Sequence, residues 1–103
     1  MSDTAVMASG VPTEMSQLLA RVLGRVAQQS GSAQALGPVW REVVGPVIAS
    51  HCVPVELTAG CLRVRCDAAQ WQREMEQRRV TLLSELQARL GEKIVTRLTF
   101  ETT

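Results

Sequence analysis

One histidine and three cysteines, His51, Cys52, Cys61 and Cys66, are the residues of this 103-residue sequence best suited to nucleophilic or metal chemistry. His51 and Cys52 are adjacent, so a thiolate–imidazole pair is one reading. Sequence neighbours seldom present their side chains to each other, however, and no glycine-rich nucleophile turn surrounds them. The plainer reading is a histidine at a helix end, where a cationic imidazole suits the terminal carbonyls, beside a small buried thiol. Structural zinc sites bring cysteines in close C-x-x-C pairs. That spacing is absent, and strand alternation sends Cys61 and Cys66 to opposite faces. The acidic residues are scattered without a paired constellation. No phosphate-cradling P-loop is present, and the seven glycines never fall three apart, so there is no G-x-x-G loop. These patterns predict a protein that is not an enzyme and uses no cofactor, metal or small-molecule substrate.

Charge is the more informative feature. The formal net charge is only +1, so distribution has to decide what the basic residues do. Ten of the eleven are arginine, whose planar fork suits phosphates and carboxylates. Arg63 and Arg65 share one strand face, and Arg97 on a later strand should share it. Arg73, Arg78 and Arg79 lie on or beside the outer side of a helix. An open arginine-bearing sheet can track phosphates, but the interleaved aromatics of a single-strand platform are missing. Glu56 and Glu101 occupy the same face and can neutralise it by cross-strand pairing. A salt-paired solvated face and a nucleic-acid or protein contact both remain open. Trp40 and Trp71 carry a similar choice. Each sits on an apolar stripe, which makes core the default, yet either can anchor a partner from the rim.

The elements that must position these residues follow from periodicity. Residues 1–12 read as a small, polar, frayed tail. Thr13 is placed to cap a helix, with Glu14 in its first turn. Met15, Leu18, Leu19, Val22, Leu23 and Val26 recur at helical spacing to Ser30-Gly31 and form the face to be buried. A second helix restarts at Gly37-Pro38, with Trp40, Val43, Val44, Val47 and Ile48 on its apolar side and a kink expected at Pro46. A hairpin turns at Ala59-Gly60. Its buried face is expected to carry Val53, Val55 and Leu57 on one strand and Leu62, Val64 and Cys66 on the other. From Ala68 one long helix is expected, with Trp71, Met75, Leu82, Leu83, Leu86 and Leu90 in a single stripe, ending at Gly91. Ile94, Leu98 and Phe100 alternate with Val95, Arg97, Thr99 and Glu101 in a third strand.

The predicted fold class is α+β, in the order ααββαβ: a three-stranded sheet with helices packed on one face. The β-helix-β portion requires a crossover, and strand order is left open. Length and a 46% apolar content fit one domain over residues 13–103. No apolar run approaches the roughly 20 residues that span a bilayer, and no secretory signal is visible. An odd cysteine count without such a signal fits reduced thiols in a cytoplasm, without a disulfide.

The pattern of Trp40, Val43-Val44-Gly45, Ile48-Ala49, His51, Pro54, Leu57, Gly60, Leu62-Arg63-Val64 and Trp71 before a leucine-rich helix resembles the DciA-like family over roughly residues 36–101. The resemblance implies a KH-like domain without the glycine loop that KH domains use on nucleic acid. It also implies a non-enzymatic accessory protein of bacterial DNA replication, one that binds the replicative DNA helicase and assists its loading in bacteria lacking ATP-hydrolysing loaders. Trp40, Arg41 and Trp71 are then the candidate partner contacts. Arg63, Arg65, Arg73, Arg78, Arg79 and Arg97 are candidates for weak contact with single-stranded DNA. Many relatives carry a basic extension or a zinc-binding segment beside this domain. The sequence ends at Thr103, just past the last strand, so DNA binding from such an extension is not expected of these residues.

Two other readings come from different classes. A general KH-like module for single-stranded RNA or DNA would lose affinity steeply with salt and on replacing Arg63 and Arg65. A dimeric scaffold would pair exposed edge strands between chains.

Overall fold

The computed structural model describes residues 13–103. The expected tail at residues 1–12 and the Thr13 side chain lie outside the described residues. Helix α1 (Thr13–Ser30) leads through a 3-10 turn (Gln34–Leu36) into α2 (Gly37–Val44) and α3 (Pro46–His51). The hairpin β1 (Cys52–Thr58) and β2 (Cys61–Cys66) follows, then α4 (Ala69–Gln77), α5 (Arg79–Leu90) and β3 (Arg97–Thr102). The sheet order is β1-β2-β3, antiparallel then parallel. The α+β class and the helices packed on one sheet face are as the periodicity predicts.

The hairpin turn uses Ala59 at φ 51° and Gly60 at φ 80°, both left-handed, which matches the twist of a two-residue turn. Gly60 is needed for a second reason. Its carbonyl accepts the Thr96 and Arg97 backbone N–H groups at 2.7 and 3.1 Å, drawing the segment before β3 against the turn. A Cβ at position 60 would stand 2.5 Å from Thr96 Oγ1. Gly60→Ala therefore combines a left-handed backbone with a collision. It is expected to cost about 1–3 kcal/mol, read as a lowered urea midpoint.

Several expectations are corrected by packing. The kink at Pro46 is a full break. Gly45 takes φ 89° and ψ 162°, and Pro46 starts α3 at a position where its missing N–H costs nothing. The long helix from Ala68 is two helices, broken at Arg78, which has φ −100° and ψ 5°. In a straight helix the stripe from Trp71 to Leu90 would drift by about 100°. Instead α4 packs on β2 and β3, while α5 turns to meet α1 and α2.

In β1 the register slips between Pro54 and Glu56. The bulge at Val55 puts Cys52, Pro54 and Leu57 inward and leaves Val53 exposed, reversing the expected phase of the strand's first half. Pro54 lacks a donor, and β1 is an edge strand, where a proline and a bulge are tolerated. In the third strand Leu98 and Phe100 face inward as expected, but pairing begins only at Arg97. Val95, expected outward, is wholly buried in the preceding loop, and its carbonyl accepts Gln87 Nε2 at 3.1 Å.

Both sheet edges are partly occupied. Leu57 N–H donates to Gly31 O at 3.0 Å, and a Ser32–Glu56 bridge covers β1. Gln72 Nε2 donates to Phe100 O at 3.0 Å on β3. These bonds blunt the edges through which strand pairing between chains would run.

The largest departure concerns α1. Its predicted core face is exposed: Met15, Leu18, Leu19, Val22 and Val26 all point away from the body. Ala20, Gly24 and Ala27 are the residues turned inward. A Cβ at Gly24 would lie 3.3 Å from Leu90 Cδ2 and 3.4 Å from Ile94 Cγ2. The small side lets the helix approach the end of α5 more closely than leucines and valines would allow.

Candidate partner-binding surface

Trp40 is in the core, not at a rim. It is 1% exposed, and its indole Nε1–H donates to Cys52 O at 2.8 Å, tying α2 to the first residue of β1. This removes Trp40 from the partner-facing set: its apolar stripe is covered by α5 and by β1. Arg41, next along α2, points outward and is exposed.

Trp71 lies at the surface and is half-buried. The hairpin places it. Cys52 and Cys66 are cross-strand partners, so His51 and Asp67 meet at the open end of the hairpin, where Asp67 N–H donates to His51 O at 2.9 Å. His51 Nδ1 lies 2.8 Å from Asp67 Oδ2. The imidazole then stacks on Trp71, the third residue of α4, with centroids 4.7 Å apart and planes 14° apart. Beside this stack a groove of about 460 Å³ is lined by Ile48, Gln70, Trp71, Glu74 and Arg78. Arg78 is braced across its mouth by Glu74, at 2.6 Å. An aromatic plane fixed from behind, with an aliphatic neighbour and a charged border, can seat an apolar side chain of a partner and bond to its flanking polar groups. Ile48, Gln70 and Glu74 were not legible as site residues. Their signal is only that α3 ends where the hairpin closes.

A larger cleft, of about 590 Å³, lies between α1 and the loop after α5. It carries Arg21, Arg25 and Lys93 against a single acid, Glu92, and no aromatic side chain.

On the outer sheet face Arg63 and Arg65 are neutralised by Glu56 and Glu101. Arg63 Nη1 bonds Glu101 at 2.8 Å, and its Nη2 reaches Glu56 at 3.1 Å. Arg65 Nε reaches the same Glu101 oxygen at 3.3 Å. This chain of cross-strand pairs needs both the antiparallel β1–β2 and the parallel β2–β3 register. Of the other predicted cations, Arg79 pairs with Glu76, and its guanidinium lies 5.8 Å from the Phe100 ring centroid. Arg73 and Arg97 are exposed and take part in no ion pair among the described residues. The six arginines therefore do not form one patch: two are paired on the sheet, two are paired on the helices, and two stand alone.

The thiols separate as strand alternation requires. Cys52 and Cys66 are buried opposite each other, and Cys61 is on the outer face, 3.7 Å from Thr99 Oγ1. Among the described residues no three or more His, Cys, Asp or Glu side chains gather as a metal-ion site. Burial, the hydrogen bond with Cys66 and the nearby charges of Cys66 and Asp67 push the Cys52 thiol up to about 12, away from an activated nucleophile. Burial also raises Cys66, more than its hydrogen bond with Cys52 lowers it.

Both thiols hold their protons more tightly folded than unfolded. The stability Cys52 contributes is thus complete below the unfolded thiol value near 9 and is lost as pH rises toward about 12, and Cys66 acts in the same direction. The sequence has no tyrosine and a single lysine, so few other side chains titrate in that window. Urea midpoints are expected to fall between pH 9 and 11, by roughly 1 kcal/mol of stability per pH unit. Cys52→Ala should flatten that dependence.

No helix among the described residues is long and apolar enough to cross a membrane. A family model described as "Dna[CI] antecedent, DciA" matches residues 14–100. A UPF0232 protein of Mycolicibacterium smegmatis is 37% identical over 87 residues, covering 80% of this chain and 45% of the relative. One from Mycolicibacterium paratuberculosis is also 37% identical, with 80% and 48% coverage. One from Mycobacterium leprae is 36% identical, with 80% and 46% coverage. The chain spans about half the length of the curated relatives it matches.

Proposed function

The chain belongs to the DciA family, and from that premise we propose that it is a non-enzymatic, cytoplasmic accessory protein of DNA replication that binds the replicative DNA helicase and assists its loading onto DNA. The observation that carries the docking part is the His51–Trp71 stack beside the groove of Ile48 and Arg78. Tryptophan and arginine dominate the few residues that supply most of an interface's energy. Here the aromatic is held in place before any partner arrives, so less ordering entropy is lost on binding.

Contact with single-stranded DNA is the minor component of this reading. Arg73 and Arg97 supply it, since Arg63 and Arg65 already have carboxylates as partners. Two isolated cations without stacking aromatics give weak, salt-sensitive attraction rather than a sequence-reading platform. The work of loading is then done by binding, with no nucleotide hydrolysed by this chain.

The test is co-purification of the tagged full chain with the cognate replicative helicase, with and without single-stranded DNA. Association is expected in both conditions. No association in either removes the adaptor role.

A further inference from the structure

Five of the eight large apolar side chains left exposed among the described residues lie on one crest of α1. Met15, Leu18, Leu19, Val22 and Val26 are 47–63% exposed, while the opposite side of the helix is already packed through Ala20, Gly24 and Ala27. Single exposed aliphatics are ordinary, but five in a row along one helix are not. Together they present on the order of 400–500 Å² of apolar surface, as much as the largest patch on a typical monomer. The crest shares no residue with the Trp71 groove, so the proposed helicase contact leaves it uncovered.

Spacing and charge identify what fits there. Met15, Leu19, Val22 and Val26 are separated by four, three and four residues, the repeat of a seam between two helices. Beside the seam run Glu14 near one end and Arg21 and Arg25 farther along, none of them in an ion pair among the described residues. We propose that this crest pairs with the same crest of a second copy of the chain, the two α1 helices running antiparallel about a two-fold axis between Leu19 and Val22. In that arrangement Met15 meets Val26 of the second copy and Leu19 meets its Val22. Glu14 of each copy comes within a helical turn of Arg25 of the other. A parallel pair would put the flanks that carry Glu14, Arg21 and Arg25 on opposite sides and leave none of the three a charged partner, whereas the antiparallel pair gains two Glu14–Arg25 contacts against a single approach of Arg21 to Arg21 beside the axis. The interface is isologous and closes at two copies. Its area, about 1,000 Å² over both partners with the flanking residues included, is near the lower bound for a specific contact. The dimer is accordingly concentration-dependent.

Sedimentation velocity of the full chain, from low micromolar to several hundred micromolar, tests this. The expected result is a shift from monomer to dimer with rising concentration. Val22→Glu should hold the chain monomeric throughout, with unchanged circular dichroism and melting temperature at the lowest concentration. Glu14→Arg should weaken dimerisation several-fold, and adding Arg25→Glu should restore it. A chain monomeric at every concentration overturns the proposal, as does a dimer that survives Val22→Glu or a charge swap that fails to restore pairing. A fall in melting temperature of the monomer on Val22→Glu also overturns it, because the crest would then be covered by a segment of its own chain.

Discussion

Trp40→Ala is expected to leave the chain largely unfolded at 37 °C. Replacing a fully buried tryptophan by alanine costs about 3–5 kcal/mol, against a total stability of about 5–15 kcal/mol for a typical domain. Here the ring joins two parts of the core, because its indole N–H holds the carbonyl of the first residue of β1 while its body fills the space between α2 and the hairpin. Trp40→Phe separates the two contributions. It keeps most of the packing and leaves Cys52 O without its donor, at a cost of about 1–3 kcal/mol. Urea unfolding followed by circular dichroism measures both. A Trp40→Ala chain with the parent midpoint would show that the side chain is not part of the core.

Trp71→Ala should do the opposite: modest loss of stability and large loss of binding. Part of this ring is solvated, and the bond of its stacking partner His51 to Asp67 does not involve the indole. A central aromatic anchor is worth about 2 kcal/mol or more on truncation, so affinity for the cognate helicase is expected to fall at least 10- to 30-fold. Arg63→Ala combined with Arg65→Ala should leave that affinity nearly unchanged, because both side chains are engaged on the opposite sheet face. Calorimetric titration of the three chains gives the comparison. Equal losses for the two kinds of variant would move the contact to the sheet face and favour a general single-strand-binding module.

The contrast between the two tryptophans shows where sequence reading stops. Both lie on helical apolar stripes, and nothing in their local pattern separates them. The difference arises at long range, since α2 is covered by α5 and β1 while the first turn of α4 sits at the open end of the hairpin. The Glu56–Arg63–Glu101 chain was legible, because alternation alone puts those residues on one face. Its continuity depended on β3 pairing with β2, which alternation does not fix. Helix α1 was legible as a helix and misread in orientation. Hydrophobicity ranks leucine and valine above alanine and glycine, but close approach to α5 selects the small side. The break at Arg78 has no glycine or proline to announce it and follows from the different neighbours of α4 and α5. The bulge in β1 had a visible cause in Pro54, and its consequence, the reversal at Val53, required the register.

The docking claim is tested most directly at Trp71 itself. A Trp40→Phe chain grown with 5-fluorotryptophan carries a single fluorine reporter, at position 71, and unlabelled helicase is silent in that spectrum. Adding the cognate replicative helicase is expected to shift or broaden the resonance until it saturates at a fixed stoichiometry, while an unrelated protein at equal mass leaves it unmoved. A resonance that stays in place through a helicase excess would contradict the assignment of Trp71 as the anchor.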